Sequence, residues 1–500
     1  MNSLVSPKYA GRLLMALAAV SSIVLAAGCG SGTGLVPPLG GSFTNSSLSG
    51  QYVMKQTGTG INQAGTSADP FSETTVFTAD GSGNLSILVD DFDQDAAQLT
   101  PTTLPETGTY SILSDGTGSL SFDGANYSIT MIDNNHFYLN EDDTFATSAG
   151  YGQTQDTTAF TAAPSGAFVF KAHNISSSSR VGGITITGGA ISGTEDFLTL
   201  GVLDTTEAIA TSVPMSPPSS TTGRGTFTLT DGTSFGYYVV SASEFYFMGN
   251  TTSLEIGQAE AQTGGPFSAA TLASGNSYVF GSRGDTTVSG EAGIHSAGVY
   301  TTDGVSAITA GAVDYVEDTT VNSNLLVSGG SYTLAANGRG TVNLTLSGGS
   351  ISPQIFWMVN GTTAYFLAND TAAVEDGTYA QQQGTPALSG QSAFVMDGFD
   401  TTLKDRVGDF ETTSATALNW NQTSNAFSTV DGTGVISTLG TNGTYTVGSN
   451  GRVAVTVNNV TGALVFYLSA NNTGFMVQED ANIGGVFGAQ ASQKAGSGAV

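Results

Sequence analysis

The sequence predicts an all-β protein: four tandem antiparallel meander domains of about eight strands each, closing as up-and-down barrels rather than splitting into sandwiches. Three observations predict it. Composition is the first. Gly accounts for 67 of 500 residues and only 10% are charged, yet 39% are hydrophobic, with β-branched and aromatic types throughout. Such a chain is too apolar for a disordered polyelectrolyte and too rich in Gly and Thr for helices. Periodicity is the second. In GTVNLTL, Val342, Leu344 and Leu346 point one way and Thr341, Asn343 and Thr345 the other, as in a strand with one buried face. Repetition is the third. TGTYSILSDGTGSLSF (107–122) recurs as GGSYTLAANGRGTVNLTL (329–346) and NGTYTVGSNGRVAVTV (442–457). A degenerate copy, TTGRGTFTLT (221–230), lies between, with Pro217 where the Tyr should stand. A period of about 110 residues is domain size, so each unit can own a core.

The leader comes first. Lys8 and Arg12 precede LLMALAAVSSIVLAA (13–27), an apolar run too short to span a bilayer. It ends in Ala26-Ala27-Gly28 directly before Cys29, the only Cys of the chain. Residues 1–28 resemble a bacterial lipoprotein signal peptide, although Leu25 stands one place earlier than that signal's usual Leu. The resemblance implies that Cys29 is lipidated and becomes the new N-terminus. Gly30 after it, rather than Asp, implies sorting to the outer membrane, facing either the periplasm or the exterior. Residues 29–47 then read as a flexible tether. With a single Cys no intrachain disulfide can form, so stability must come from buried cores.

Four β-domains follow, at 48–160, 161–268, 269–384 and 385–493, with a tail at 494–500. They open at LSGQYVM (48–54), PSGAFVF (164–170), ASGNSYVF (273–280) and LSGQSAFVM (388–396). Each carries a late aromatic strand: HFYLN (136–140), EFYFM (244–248), AYFLA (364–368) and VFYLS (465–469). Each closes near two glutamines: Gln153/Gln155, Gln258/Gln262, Gln381/Gln383 and Gln490/Gln493. Asp115-Gly116, Asn337-Gly338 and Asn450-Gly451 suit type I′ hairpins, in which both turn residues take φ > 0. Asp80-Gly81, Gly188-Gly189 and Asp303-Gly304 supply an earlier hairpin, placed near Thr412–Ser414 in the fourth copy or lost from it. QIFWMVN alternates two apolar sets, Ile355/Trp357/Val359 and Phe356/Met358, which predicts neighbours on both faces. Closure of each meander removes exposed edges.

LSGQY (48–52), DGSGNLS (80–86), GTYSI (108–112) and NGRGT (337–341) together resemble a family of uncharacterised bacterial surface lipoproteins with tandem Gly/Thr-rich β-repeats. The resemblance spans the mature chain but rests on turn residues, and it implies no activity. The meanders are also similar to lipocalin-like barrels, by fold analogy alone.

Charge and chemistry narrow the function. The formal net charge is −28, from 12 basic and 40 acidic residues, which excludes a nucleic-acid partner. Gly232-Thr233-Ser234-Phe235-Gly236 has the letters of a hydrolase nucleophile elbow but β-runs on both sides, so it reads as a hairpin. His136, His173 and His295 fall in three units at non-equivalent positions, which gives no zinc pattern. Asp90, Asp91, Asp93 and Asp95 in DDFDQD are the candidate metal ligands, for calcium, although Ala96 and Thr102 break the calcium-loop pattern. Glu141-Asp142-Asp143 and Glu479-Asp480 read as acidic loop tips. Trp420, among Asn, Gln, Thr and Ser, is the candidate exposed platform for a ligand such as a sugar ring. No catalytic residue and no cofactor is assigned. The expectation is a non-catalytic cell-envelope lipoprotein, anchored to the membrane by lipid, serving adhesion, envelope structure or capture of a glycan, lipid or protein ligand. The alternatives are a surface hydrolase with paired carboxylates and a calcium-stabilised adhesin.

Overall fold

The computed structural model describes residues 43–490 except 62–66, 95–96, 100–105, 175–177, 251–253, 286–292, 318–319, 370, 372, 401, 431 and 480. Cys29, the leader, Asp95, Asp480 and the 494–500 tail lie outside the described residues. The rest is all-β, in four closed antiparallel barrels.

Each barrel closes because its first strand pairs with both its second and its last. In barrel 1, Tyr52 of Ser49–Ile61 faces Phe77 on one side and Thr154 on the other. Phe168 faces Ile184 and Ala261 in barrel 2, and Tyr278 faces Tyr300 and Gln381 in barrel 3. Phe394 faces Gly408 and Phe487 in barrel 4. Barrels 2 to 4 have eight strands, and barrel 1 adds a short ninth, Ala97–Leu99, paired only to the third. Of the two alternatives for the early hairpin of the fourth copy, the one near Thr412–Ser414 is present, with the Thr413 amide donating to the Ala417 carbonyl at 2.8 Å.

The turn chemistry differs from expectation. Only the Gly of Asp115-Gly116, Asn337-Gly338 and Asn450-Gly451 takes positive φ, at 88°, 93° and 82°. These are wider turns with a glycine bulge, closed by hydrogen bonds such as Gly116 N to Leu113 O and Leu113 N to Thr117 O. The Asp or Asn instead accepts a backbone amide two residues on, Thr117, Arg339 or Arg452. Among the described residues, Asp123-Gly124 and Gly188-Gly189 are the pairs with positive φ at both positions.

The barrel interiors are filled. Phe168, Phe170, Phe227, Phe235, Tyr237, Phe245 and Phe247 pack edge-on and stacked in barrel 2 and leave a void of about 30 Å³ beside them. Barrel 4 is filled by Phe394, Phe410, Trp420, Phe466 and Phe487. Trp420 is therefore corrected: it is fully buried and stacks on Phe394 and Phe410 with centroids 4.3 and 5.8 Å away. Period-two alternation, not the polarity of its neighbours, decides where that ring goes.

A lead-in segment plugs one end of each barrel with Phe43, Phe160, Phe267 or Leu388. Residues 43–47, counted with the tether on sequence grounds, are thus structured. The recurring Tyr fastens the plug. Tyr110 Oη donates to the Leu48 carbonyl at 2.7 Å, Tyr332 Oη to Ala269 at 3.2 Å and Tyr445 Oη to Leu388 at 3.3 Å.

Candidate functional site

The outer faces of the barrels are also apolar, and they pack the four into a closed ring. Val53, Val76 and Val89 meet Tyr238, Tyr246 and Ile256 between barrels 1 and 2. Val181 and Leu198 meet Ile355, Trp357 and Val359 between barrels 2 and 3, which accounts for the two apolar faces of QIFWMVN. Val299 and Val316 meet Val465 and Tyr467 between 3 and 4. Tyr138 meets Ala393 and Val407 between 1 and 4, closing the circle.

Three of the four joints share one polar device. An Asp on the third strand of one barrel accepts from an Arg and an aromatic side chain on paired strands of the next. Asp196 takes Arg339 at 2.7 and 2.9 Å and the Trp357 indole Nε1 at 2.8 Å. Asp314 takes Arg452 at 2.6 and 2.7 Å and the Tyr467 hydroxyl. Asp91 takes Arg224 at 2.6 Å and the Tyr238 hydroxyl. Gly183 lets the Trp357 ring lie against the sheet, since a Cβ there would fall 2.5 Å from it. At the fourth joint Asn425 stands in the Asp position, and Thr117 and its partner Thr130 replace Arg and aromatic. The Asn425 amide donates instead to the carbonyls of Glu141, Asp143 and Ala146 at 3.1, 2.8 and 2.6 Å.

A glutamine repeats at all four joints. Gln155 donates to the Thr222 and Val239 carbonyls, Gln262 to Asn337 and Met358, Gln382 to Asn450 and Leu468, and Gln490 to Asp115 and Met131. Each seals the glycine turn of the next barrel, the last reaching back to the first.

These joints correct several sequence expectations. Asp91 is an interdomain ion-pair residue. Asp90 points the other way and accepts from Thr75 at 3.0 Å, and Asp93 is fully buried. The Asp90/Asp91/Asp93 set therefore does not converge on one point, and no group of three or more His, Cys, Asp or Glu among the described residues could hold a metal. Glu141 and Asp143 are buried at the fourth joint rather than forming a solvated tip. Ser234 lies in a hairpin, bonded to Thr228 at 2.7 Å.

Along the ring axis the barrels leave a chamber of about 680 Å³, lined by residues of all four. The lining comes from the outward positions of the first strands and their neighbours. Lys55, Lys171, Gly281 and Asp397 occupy the same position in successive copies, each following the aromatic-Val-aromatic (or Met) run. Lys55 Nζ donates to Gln258 Oε1 at 2.5 Å and lies 4.3 Å from the Tyr246 ring centre. Lys171 Nζ donates to Thr378 Oγ1 at 2.9 Å and lies 5.1 Å from the Tyr365 centre. Arg283 pairs with Asp397 at 2.8 Å and contacts His173. Tyr365 donates its hydroxyl to Glu260 and accepts from Gln258 at 2.6 Å. Glu244 lies directly across the strand pair from Glu260.

Burial governs the electrostatics here. It pushes Lys55 down to about 7, with Lys171 adding to the effect. Lys171 falls for the same reason, and His173 is held well below its usual value by burial and then by Arg283. Glu244 rises, through burial and then the facing Glu260, and Asp376 rises by burial. The spacing of His173 and His295 does not signal their convergence on one chamber, because ring closure unites them. The joint arginines did carry a signal: Arg stands in the same turn position in three of four copies.

No family model and no curated protein matches the chain. Among solved structures it is similar to a double mutant of the vaccine antigen transferrin binding protein B from Haemophilus parasuis Hp5. That match has 8% identity over 67% of this chain and 76% of that one, with a TM-score of 0.20. It is also similar to intact Ap-TbpB with its N and C lobes, at 7% identity over 68% and 79%, with a TM-score of 0.19. Likenesses this slight lend no support to any shared activity.

Proposed function

We propose that the protein is a non-catalytic lipoprotein of the bacterial outer membrane, anchored through Cys29, whose four-barrel ring captures a small solute in its axial chamber. One observation carries the choice of capture over adhesion or envelope structure. The barrels are filled, yet their outer faces surround a space of ligand size lined by half-buried charged groups, Lys55, Lys171, Glu244 and Glu260 among them. A purely structural ring would be expected to fill its axis with apolar side chains, as its joints are filled. Mass spectrometry of the native mature protein tests both parts. A triacylated Cys29 and a co-purifying small molecule are expected, and the molecule is to be lost from Ala380→Trp, which narrows the chamber. An unmodified Cys29 would remove the anchor. An identical small-molecule content in protein and variant would remove capture.

Glu244 and Glu260 support a second reading, a surface hydrolase. They are two carboxylates in one cleft, with Glu244 raised, the arrangement a general acid and its partner require. A glycosidase panel against the wild-type protein and Glu260→Gln tests it: activity abolished by the substitution would put this reading first.

A further inference from the structure

The chain spends its few cations sparingly. Of the nine Lys and Arg among the described residues, Arg224, Arg339 and Arg452 hold joints and Lys55, Lys171 and Arg283 line the chamber. Arg283 is matched by Asp397. Asp376 attracts Lys171, and Glu244 and Glu260 attract Lys55, but none of these carboxylates closes to an ion pair with either lysine. Each ammonium has three donors and one neutral acceptor here, Gln258 or Thr378, and among the described residues neither forms an ion pair. The two glutamates are in the mirror situation. Glu260 accepts only from neutral donors, Tyr365 and Gln258, and it faces Glu244, a like charge directly opposite, which disfavours the pair.

Gln258 connects the two sets. Its Oε1 accepts from Lys55 and its Nε2 donates to Glu260 at 3.3 Å, so about one amide width separates the lysine layer from the glutamate layer. A pair of cations and a pair of anions, each repelling within itself, stand side by side without touching. A solute with one negative and one positive group a few ångströms apart would satisfy both.

We infer that the chamber binds a small zwitterion of the amino-acid type, its carboxylate between Lys55 and Lys171 and its ammonium between Glu244 and Glu260. This rests on the reading of the chamber as a capture site. Charge-assisted hydrogen bonds at both ends, among half-buried side chains, give the selectivity over singly charged solutes.

Calorimetric titration of the mature protein with the ω-amino acids from glycine to 6-aminohexanoate tests the inference, with butyrate and butylammonium at matched ionic strength as controls. One chain length is expected to bind about tenfold or more tighter than either mono-ion. Lys55→Met and Glu260→Gln are each expected to abolish that preference while keeping the β-sheet circular dichroism. A second readout needs no variant. Lys55 faces Lys171, Arg283, Glu244 and Glu260 and packs on Tyr246 and Gln258, and a bound carboxylate would raise its affinity for a proton. Near pH 8 the binding heat should therefore depend on the ionisation heat of the buffer, reporting proton uptake. Absence of binding by every ω-amino acid, or mono-ions bound as tightly, overturns the inference. Lys55-dependent binding of butyrate alone would overturn it while leaving capture in the chamber intact, and loss of the co-purifying molecule in Ala380→Trp judges capture separately.

Discussion

Asp196 shows how much rests on one carboxylate. Its side chain is fully buried and accepts two guanidinium donors and an indole from the neighbouring barrel. Asp196→Ala would leave Arg339 and Trp357 Nε1 without an acceptor, and removing one partner of a buried pair costs about 3–5 kcal/mol. Arg339 keeps some solvent access, so about 3 kcal/mol is expected in denaturant unfolding. Asp91→Ala should cost less, because Arg224 approaches it through a single nitrogen. At this scale the sequence is only half legible. Alternation puts Trp420 inside, but the polar letters beside it, Asn419 and Asn421, suggest a surface. Those asparagines occupy the opposite face of the same strand. Likewise Asp91 and Asp90 differ by one residue and so by a whole sheet face, and a composition count of acids cannot tell an ion pair from a ligand set.

Among the elements, the joints are where copies of one repeat diverge. Three use Asp with Arg and an aromatic ring, and the fourth uses Asn425 against three carbonyls. The two solutions are not exchangeable. Asn425→Asp would set a carboxylate against the Glu141, Asp143 and Ala146 carbonyls, all acceptors, in a buried place. A loss of about 3 kcal/mol is expected from the unmet groups, with faster hydrogen exchange in Ala146–Thr154 and Ala417–Ser428 than elsewhere. An unchanged exchange pattern would show that the fourth joint does not depend on that amide. The strands and hairpins themselves were legible because period two and the Gly turns are local. The joints were not, since their partners lie 67 to 375 residues apart. The repeated Arg after the turn glycine was visible as a letter, but its role needed the neighbouring barrel.

For the molecule as a whole, buried carboxyls set the pH response. Burial raises Asp93, Glu195, Asp285 and Asp409 to about 7 and Asp405 to about 8. In the unfolded chain such groups ionise near 4. Between those values the folded protein holds more protons than the unfolded one, so stability is greatest at the acid end and falls as pH rises from about 4 to about 8. Asp80, lowered to about 2 by hydrogen bonds from Asn84, acts only below that window. A higher melting temperature at pH 5 than at pH 8 is expected, and Asp405→Asn should flatten the upper part of the curve. A melting temperature that climbs toward pH 8 would mean these carboxyls ionise normally.

The closing glutamine has one more implication. A Cβ at Gly116 would meet the Gln490 amide at 2.8 Å and the Phe43 ring at 3.0 Å, so the first and last described residues share one hairpin. Going round the molecule, the glutamine seal between the fourth module and the first is laid out like the other three. A gene opened between any two modules, with the old ends spliced by a short linker, should therefore yield the same assembly.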